Sequence, residues 1–234
     1  MQTLNISEIP FDPLLKPKRL KVWITAKNSF IAKNIMEQLD YDFISTTHKE
    51  LDLLDTQAVD DFLKDKFFDV VIHTARVGGR RKEPDMEIDA LENIVMFENL
   101  LINRHCFDIL INIGSGAEIK PTTYYGSAKF HIAEYIERLD RMYNLRCWGV
   151  WGKYEAEDRF PTYCLTHKKV IIPEDKIMRY IHVDDLIKKM DWIIETRPIQ
   201  KIYNLGEPML LSAFAKQLNP NIKVIIKSKG KDYI

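Results

Sequence analysis

The segment KVWITAKNSFIA, residues 21–32, decides the fold. Residues 21–25 form a short apolar run of β-forming residues, and residues 31–39 place apolar side chains at helical spacing. A buried strand, a tight turn and an amphipathic helix in this order are the repeating unit of a parallel α/β sheet. The turn has two interpretations. It is a phosphate-binding loop at a helix N-terminus, or a plain turn in which Asn28 or Ser29 caps the helix.

The same alternation of strand and helix continues to about residue 150. Further strands are predicted at 41–45, 69–73, 108–113 and 144–150, and further helices at 56–64, 85–103 and 125–143. The strands are continuous apolar runs, which is typical of parallel strands covered by helices on both faces. The sequence therefore predicts an α/β fold with a Rossmann-type, doubly wound parallel sheet.

Composition divides the chain into three regions. Residues 1–19 contain three prolines and are predicted to form an extended N-terminal arm. Residues 20–154 carry the regular alternation and are predicted to form a Rossmann-type domain, the kind of fold that binds dinucleotides. Residues 155–234 are irregular and rich in proline. We expect them to form a small, truncated substrate lobe with segments that return to the main sheet.

The overall composition excludes several classes of protein. The chain has 234 residues, of which 46% are hydrophobic and 29% charged, as in an ordinary globular domain. The 34 basic and 34 acidic residues cancel, which argues against nucleic-acid binding. No apolar run approaches the roughly 18 residues of a membrane span, and no signal pattern opens the chain, so we expect a cytoplasmic protein. The three cysteines lack C-x-x-C spacing, so neither a disulfide framework nor a metal site is expected.

Three residues could carry chemistry. Tyr125 and Lys129 lie one turn apart if a helix begins at the segment YGSAK. An ammonium beside a phenol favours the phenolate and lowers the tyrosine pKa, and such a tyrosine can exchange a proton with a substrate. Ser115 directly follows the fourth strand, at the sheet edge where doubly wound folds bind ligands. The alternative for each is structural: a packed tyrosine near a solvated lysine, and a serine in a turn.

Taken in order, the motifs resemble the extended short-chain dehydrogenases/reductases of the NAD-dependent epimerase/dehydratase family. Their order is similar to that of GDP-fucose synthase-like 4-keto-sugar reductases, and the similarity extends from residue 21 to about 218. The resembling segments are 25–34 (TAKNSFIAKN), 51–55 (LDLLD), 70–79 (VVIHTARVGG), 148–152 (WGVWG), 179–185 (RYIHVDD) and 203–206 (YNLG).

This resemblance implies a role for each matched position. Tyr125 would be the general acid/base, Ser115 would bind the substrate oxygen, and Lys129 would lower the tyrosine pKa and hold the nicotinamide ribose. The other positions implied to contact the cofactor are Thr25, Ala26, Asn28, Ser29, Phe30, Ile31, Asp52, Leu53, Ala75 and Asn93. The positions implied to contact a nucleotide-sugar substrate are Val77, Gly78, Gly79, Arg159 and Arg179.

Arg179 would contact the substrate diphosphate, since a guanidinium suits that anion; the alternative is an ion pair with Asp184 or Asp185. The resemblance also implies a homodimer, in which the helices at 85–103 and 125–143 pack across a two-fold axis.

The end of the second strand bears on the choice of cofactor. No acidic residue follows directly, where one would bind the ribose 2′-hydroxyl and repel a phosphate. His48 and Lys49 could instead contact a 2′-phosphate. This favours NADP over NAD, and the alternative is that both are solvated loop residues.

The sequence departs from the family pattern in ways that leave two hypotheses. Ala26, Ser29 and Ala32 replace the glycines of the phosphate loop, and we expect that none of them adopts a positive φ. Ala117 stands where GDP-fucose synthases carry a cysteine, which disfavours 3,5-epimerisation and leaves 4-keto reduction or 4-epimerisation. The first hypothesis is an NAD(P)-dependent enzyme acting on a nucleotide-activated sugar. The second is a catalytically lapsed member that serves as a binding or regulatory protein.

Overall fold

A computed structural model of the chain describes residues 19–79 and 84–232. Except for Arg19, the predicted N-terminal arm lies outside these residues. The strands within them are β1 (Lys21–Ile24), β2 (Asp42–Ser45), β3 (Phe68–His73), β4 (Phe107–Ser115), β5 (Met142–Cys147), β6 (Val150–Trp151), β7 (Lys169–Asp175), β8 (Ile177–His182), β9 (Ile202–Leu205), β10 (Glu207–Leu210) and β11 (Lys223–Lys229). The α-helices are α1 (Phe30–Gln38), α2 (Thr56–Leu63), α3 (Glu87–Ile102), α4 (Tyr124–Arg138), α5 (Phe160–Thr166), α6 (Val183–Thr196) and α7 (Leu211–Leu218).

The main sheet is parallel throughout and has the strand order β2-β1-β3-β4-β5-β9. This confirms the predicted doubly wound α/β sheet. Only β2 lies outside β1, whereas the six-stranded Rossmann order 3-2-1-4-5-6 has two strands there. The strand order reverses between β1 and β3, and ligands bind in doubly wound sheets at that reversal.

The main sheet separates two hydrophobic cores, one on each face. Val22 and Ile24 pack with α1 and α6 on one face, whereas Trp23 packs with α2 and α3 on the other. Successive side chains of a strand point to opposite faces. The continuous apolar runs of the sequence therefore fill both cores.

The C-terminal region is partly a separate lobe and partly an extension of the main sheet. Strands β10, β8 and β6 form one small sheet, and β7 pairs in parallel with β11. This lobe has a core of its own that includes Cys164, Ile172 and Ile222. Strand β9 pairs with β5 in the main sheet, and α6 packs beside α1. The exact boundary at residue 154 stays a prediction.

The structure corrects two predicted elements. The helix predicted at 125–143 ends at Arg138, because Leu139 is extended and Arg141 has a φ of 58°, which reverses the chain. The strand predicted at 144–150 ends at Cys147. Residues 150–151 leave the main sheet and pair with β8. Gly149 allows this crossing, since a Cβ there would lie 2.6 Å from the ring of Tyr180.

No helix in the described ranges is long and apolar enough to cross a membrane.

Candidate active site

The carboxyl ends of β1, β3, β4 and β5 meet the C-terminal lobe at a cleft of about 1980 Å³. The residues lining it come from both sides. The main-sheet side includes Ser29, Phe30, Ile31, Thr74, Arg76, Gly79, Ser115, Tyr125, Lys129 and Cys147. The lobe side includes Arg159, Tyr163, His167, Lys168, Lys169, Lys176, Met178 and Tyr180.

Ser115 is the last residue of β4, as the sequence predicted, and it opens a 3₁₀ turn formed by Gly116–Glu118. Its Oγ accepts a hydrogen bond from the backbone N–H of Ala117 at 3.2 Å. The backbone N–H of Ser115 donates to Oε2 of Glu118 at 3.1 Å. These reciprocal bonds form a capping box that fixes the turn directly after the strand.

Tyr125 lies in the first turn of α4, which is capped by the Thr123 hydroxyl accepting from the Gly126 N–H at 3.0 Å. Its ring lies against Gly79, where a Cβ would approach Cε2 to 2.9 Å. Gly79 also has a φ of +68°, a conformation that glycine adopts without strain. The Ser115 side chain lies close enough to the Tyr125 hydroxyl to lower the pKa of the tyrosine.

Lys129 lies one turn further along α4 and is 2% exposed. Its Nζ donates to the carbonyl oxygen of Ile113 on β4 at 3.0 Å and lies 5.8 Å from the centroid of the Tyr125 ring. The tertiary structure therefore brings Ser115, Tyr125 and Lys129 together at the floor of the cleft.

The predicted effect of Lys129 on the tyrosine is not found. Burial raises the pKa of Tyr125 to about 12, and the groups that oppose this rise are the Arg76 charge and the Ser115 hydrogen bond. Burial also lowers the pKa of Lys129 to about 8, against the opposing effect of Glu118. Desolvation is thus the largest effect on both groups. Sequence reasoning assigned no role to Arg76, although it lies within the matched segment 70–79, or to Glu118, because both act through space.

The loop after β1 has the geometry of an anion-binding turn despite its lack of glycine. Ala26 has a φ of +53°, so the expectation that it avoids positive φ is wrong. This conformation costs an alanine about 1 kcal/mol. Ser29 caps α1 by accepting from the Ala32 N–H at 3.2 Å, as one interpretation predicted. The N–H groups of Phe30 and Ile31 have no acceptor inside the helix and belong to residues that line the cleft.

Two residues predicted to contact the cofactor are buried and form hydrogen bonds to the backbone. Thr25 is fully buried, and its hydroxyl accepts from the N–H groups of Thr74 and Ala75 at 2.9 and 3.0 Å. It therefore joins the ends of β1 and β3 and does not face the cleft. Asn93 is 1% exposed and bonds both backbone groups of Val77, which fixes the start of the wall formed by residues 77–79.

The loop after β2 carries three further residues predicted to contact the cofactor, namely His48, Asp52 and Leu53. His48 has a side chain that is 77% exposed, and its Nδ1 lies 3.4 Å from Oδ1 of Asp52. Leu53 is buried in the core beneath the loop. Lys27 pairs with Glu50 at 3.2 Å, and Asn28 is exposed beside it.

The structure separates the two arginines predicted to bind substrate. Arg159 lines the cleft, with its Nε 3.3 Å from Oε1 of Glu155. Arg179 does not line it. Its Nη1 donates to the Gly206 carbonyl at 2.8 Å, and its guanidinium lies 5.3 Å from the Trp148 ring centroid.

The reason is the alternation of side chains along β8, since Met178 and Tyr180 occupy the cleft face. The alternative of an ion pair is wrong, because Asp184 lies beside His182 and Asp185 beside Lys188 in the described residues. The diphosphate contact of Arg179 stays a prediction. The cleft cations that sequence reasoning missed are Lys120, Lys168, Lys169 and Lys176. In the described parts of the chain, no group of three or more His, Cys, Asp or Glu could hold a metal ion.

Comparison with known proteins agrees with this geometry. Residues 21–206 match the family model described as the NAD dependent epimerase/dehydratase family, so the chain belongs to that family. A curated relative is the GDP-L-colitose synthase of Yersinia pseudotuberculosis, 29% identical over 172 residues. The matched region is 59% of this chain and 56% of the relative, so the match spans little more than half the relative's length.

Solved structures show the same fold. A dTDP-4-dehydrorhamnose reductase from Bacillus anthracis, in complex with NADP, is 19% identical with a TM-score of 0.75; the match covers 90% of this chain and 84% of that one. A GDP-mannoheptose C4 reductase from Campylobacter jejuni with NADP bound is 15% identical with a TM-score of 0.77, covering 92% and 90%. A GDP-D-glycero-L-gluco-heptose synthase from Campylobacter jejuni, in the presence of NADPH, is 14% identical with a TM-score of 0.79, covering 93% and 91%.

The buried ammonium predicts a pH dependence of stability. The pKa of Lys129 is about 8 in the folded chain and about 10.5 when unfolded, so between these values the unfolded state binds more protons. Relative to Lys129→Met, wild-type protein should gain up to about 3 kcal/mol of unfolding free energy from pH 8 to pH 10.5. Denaturant titrations of both proteins across this range measure the difference. Parallel curves would show that Lys129 titrates normally in the folded chain.

Proposed function

We propose that this protein is an NADP(H)-dependent enzyme that reduces or epimerises a nucleotide-activated sugar at C4, with Tyr125 as general acid/base. One observation carries the proposal. Ser115, Tyr125 and the buried Lys129 lie together at the floor of one cleft of about 1980 Å³. Family membership supports it.

The residues around the cleft fit a dinucleotide. The left-handed Ala26 and the Ser29 cap leave the N–H groups at the start of α1 directed toward anions, as a pyrophosphate requires. Ser29, Phe30 and Ile31 would hold the pyrophosphate, and Lys129 would hold the ribose of the nicotinamide. When bound, the nicotinamide would supply or accept a hydride at a sugar carbon.

Tyr125 would manage the proton that accompanies this transfer. In reduction, the substrate carbonyl becomes an alkoxide, and the Tyr125 hydroxyl is placed to protonate it. Ser115 would donate a hydrogen bond to the same oxygen, which fixes the carbonyl relative to the tyrosine. A pKa of about 12 suits Tyr125 to act as an acid toward an alkoxide, and the positive charge of Arg76 opposes any further rise.

The lobe side of the cleft fits the anionic part of such a substrate. Arg159, Lys168, Lys169 and Lys176 line it, although the chain as a whole is electrically neutral. A nucleoside diphosphate carries two or more negative charges, which such a group of cations attracts. The names of the relatives agree with this class, since each acts on, or makes, a nucleotide-activated sugar.

NADP is favoured over NAD by two observations. The exposed His48 and the neighbouring Lys49 provide basic side chains after β2, where the adenine ribose of a dinucleotide lies in doubly wound folds. Solved relatives of the same fold contain NADP or NADPH.

The first experiment replaces the proposed acid. Tyr125→Phe keeps the ring against Gly79 but removes the hydroxyl, so turnover of 4-keto nucleotide sugars should fall at least about 100-fold. Calorimetric titration with NADPH, NADP, NADH and NAD should give the same micromolar affinity for NADPH in both proteins. If wild-type protein binds none of the four at millimolar concentration, the enzyme proposal fails and the chain is a binding or regulatory protein.

The cofactor preference is tested at the β2 loop. Replacing both His48 and Lys49 by alanine removes the two basic side chains proposed to face the 2′-phosphate. Affinity for NADPH should then fall about tenfold, with little change for NADH. Lys64→Ala on α2 is the matched control, because its exposed ammonium lies outside the cleft. Equal losses for NADPH and NADH would contradict the assignment.

The chain is also proposed to form a homodimer through α3. Ile88, Leu91, Val95 and Ile102 lie on one face of this helix and are 36–61% exposed, a continuous apolar stripe. A second copy related by a two-fold axis would cover this stripe with the same residues. Leu91→Glu should give a monomer of 27.5 kDa in light scattering, and the exposed Ile199→Glu should leave the dimer intact. A monomeric wild-type protein would refute this assembly.

A further inference from the structure

A buried carboxylate lies directly behind the catalytic floor. Glu118 ends the 3₁₀ turn after Ser115 and is 1% exposed. Its Oε1 accepts hydrogen bonds from Nδ2 of Asn144 at 2.6 Å and from Nε of Arg146, and its Oε2 accepts from the Ser115 N–H. A buried carboxylate is costly to desolvate unless it is paired, and here every contact stabilises its charged form.

The position of Glu118 also determines the electrostatics of Lys129. Among the described residues, the Lys129 ammonium donates a hydrogen bond to the neutral carbonyl of Ile113. The charged and titratable groups that act on it are Glu118, Arg76, Cys147 and His73. Glu118 is the only carboxylate among them. The turn that carries Glu118 packs against α4, the helix that carries Lys129.

We propose that Glu118 is a positioning residue: it fixes the turn that presents Ser115 and supplies the negative charge that keeps the buried Lys129 protonated. The proposal rests on the proposed function, because it assigns work to Glu118 within that same site. It also explains why an acidic residue, Glu118, lies three positions after Ser115. In this position one side chain reaches both the Ser115 N–H and the end of β5.

Charge balance supports this role. Burial lowers the pKa of Lys129 to about 8, and Glu118 is the group that most strongly opposes this decrease. Burial also raises the pKa of Glu118, while Arg146, the Ser115 N–H and Lys129 lower it. Without Glu118, Lys129 would lose its proton at a lower pH, and the group proposed to hold the ribose would become neutral.

A double-mutant cycle tests the pairing without cofactor or substrate. The unfolding equilibria of wild type, Glu118→Gln, Lys129→Met and the double variant are measured at pH 7. If the two charges interact, the double variant should differ from the sum of the single changes by at least about tenfold in the unfolding constant. If the product of the two single effects on the unfolding constant agrees with the double variant to within about twofold, the proposal is overturned. This holds whether or not the protein proves to be an enzyme.

The pH profile of turnover separates positioning from general stability. In Glu118→Gln the alkaline limb of kcat/KM should move to lower pH by about one unit, because the ammonium loses its counter-charge. Asp175→Asn is the control: Asp175 is a buried carboxylate in the lobe that caps Ser212, with Oδ1 2.9 Å from the Ser212 N–H. Asp175→Asn should lower the stability of the protein and leave the alkaline limb of kcat/KM unchanged. If the alkaline limb of kcat/KM in Glu118→Gln lies at the same pH as in the wild type, the proposal is overturned. If the wild-type protein shows no turnover, only the proposed function is refuted.

If Glu118→Gln does not fold, Lys129→Met provides the test. Loss of the ammonium should raise the folded pKa of Glu118 further, so Lys129→Met should lose stability relative to wild type as the pH rises from about 5 to 8. Parallel stability curves over this range would show that Glu118 does not face Lys129, and would overturn the proposal.

Discussion

Parallel pairing of β1, β3, β4 and β5 is the constraint on which the rest of this structure depends. Because all four strands run the same way, their carboxyl ends open at one edge of the sheet. Each following turn then contributes a different component: a left-handed loop and helix start after β1, a glycine wall after β3, and Ser115 after β4. Helices on both faces bury the strands, so this edge and the lobe beyond it are where a large cleft can open.

Burial of charge is the second feature that organises the site. A fully buried ammonium at Lys129 and a fully buried carboxylate at Glu118 are both unfavourable alone, and the fold compensates with neighbouring partners. Asn144 extends this polar group into the sheet, since its Oδ1 accepts from Nδ2 of Asn112 at 2.7 Å while its own Nδ2 donates to Glu118. The floor of the cleft is therefore held by a hydrogen-bonded network that spans β4 and β5, and it is not held by α4 alone.

The order of the elements and the three catalytic candidates could be predicted, because both depend on local patterns. Strand and helix periods differ, and Ser115, Tyr125 and Lys129 each lie at a recognisable position relative to a strand end or a helix start. Orientation could not be predicted in the same way. A one-residue change of phase reverses the face of a strand, so Arg179 proved to point away from the cleft. Thr25 likewise satisfies buried backbone groups rather than facing a ligand.

The parallel α/β sheet, its two buried faces and the resemblance of its motifs to a family could be read from the sequence alone. These features follow from periodicity and from the spacing of short segments. Which side chains lie next to each other became known from the folded structure. Ala26 adopts a conformation that its side chain disfavours because the surrounding turn imposes it. Desolvation raises the pKa of Tyr125 and lowers that of Lys129, and its extent depends on neighbours distant in sequence, such as Arg76 and Glu118. Burial and electrostatic effects depend on the distances between side chains, and the order of residues along the chain does not specify those distances.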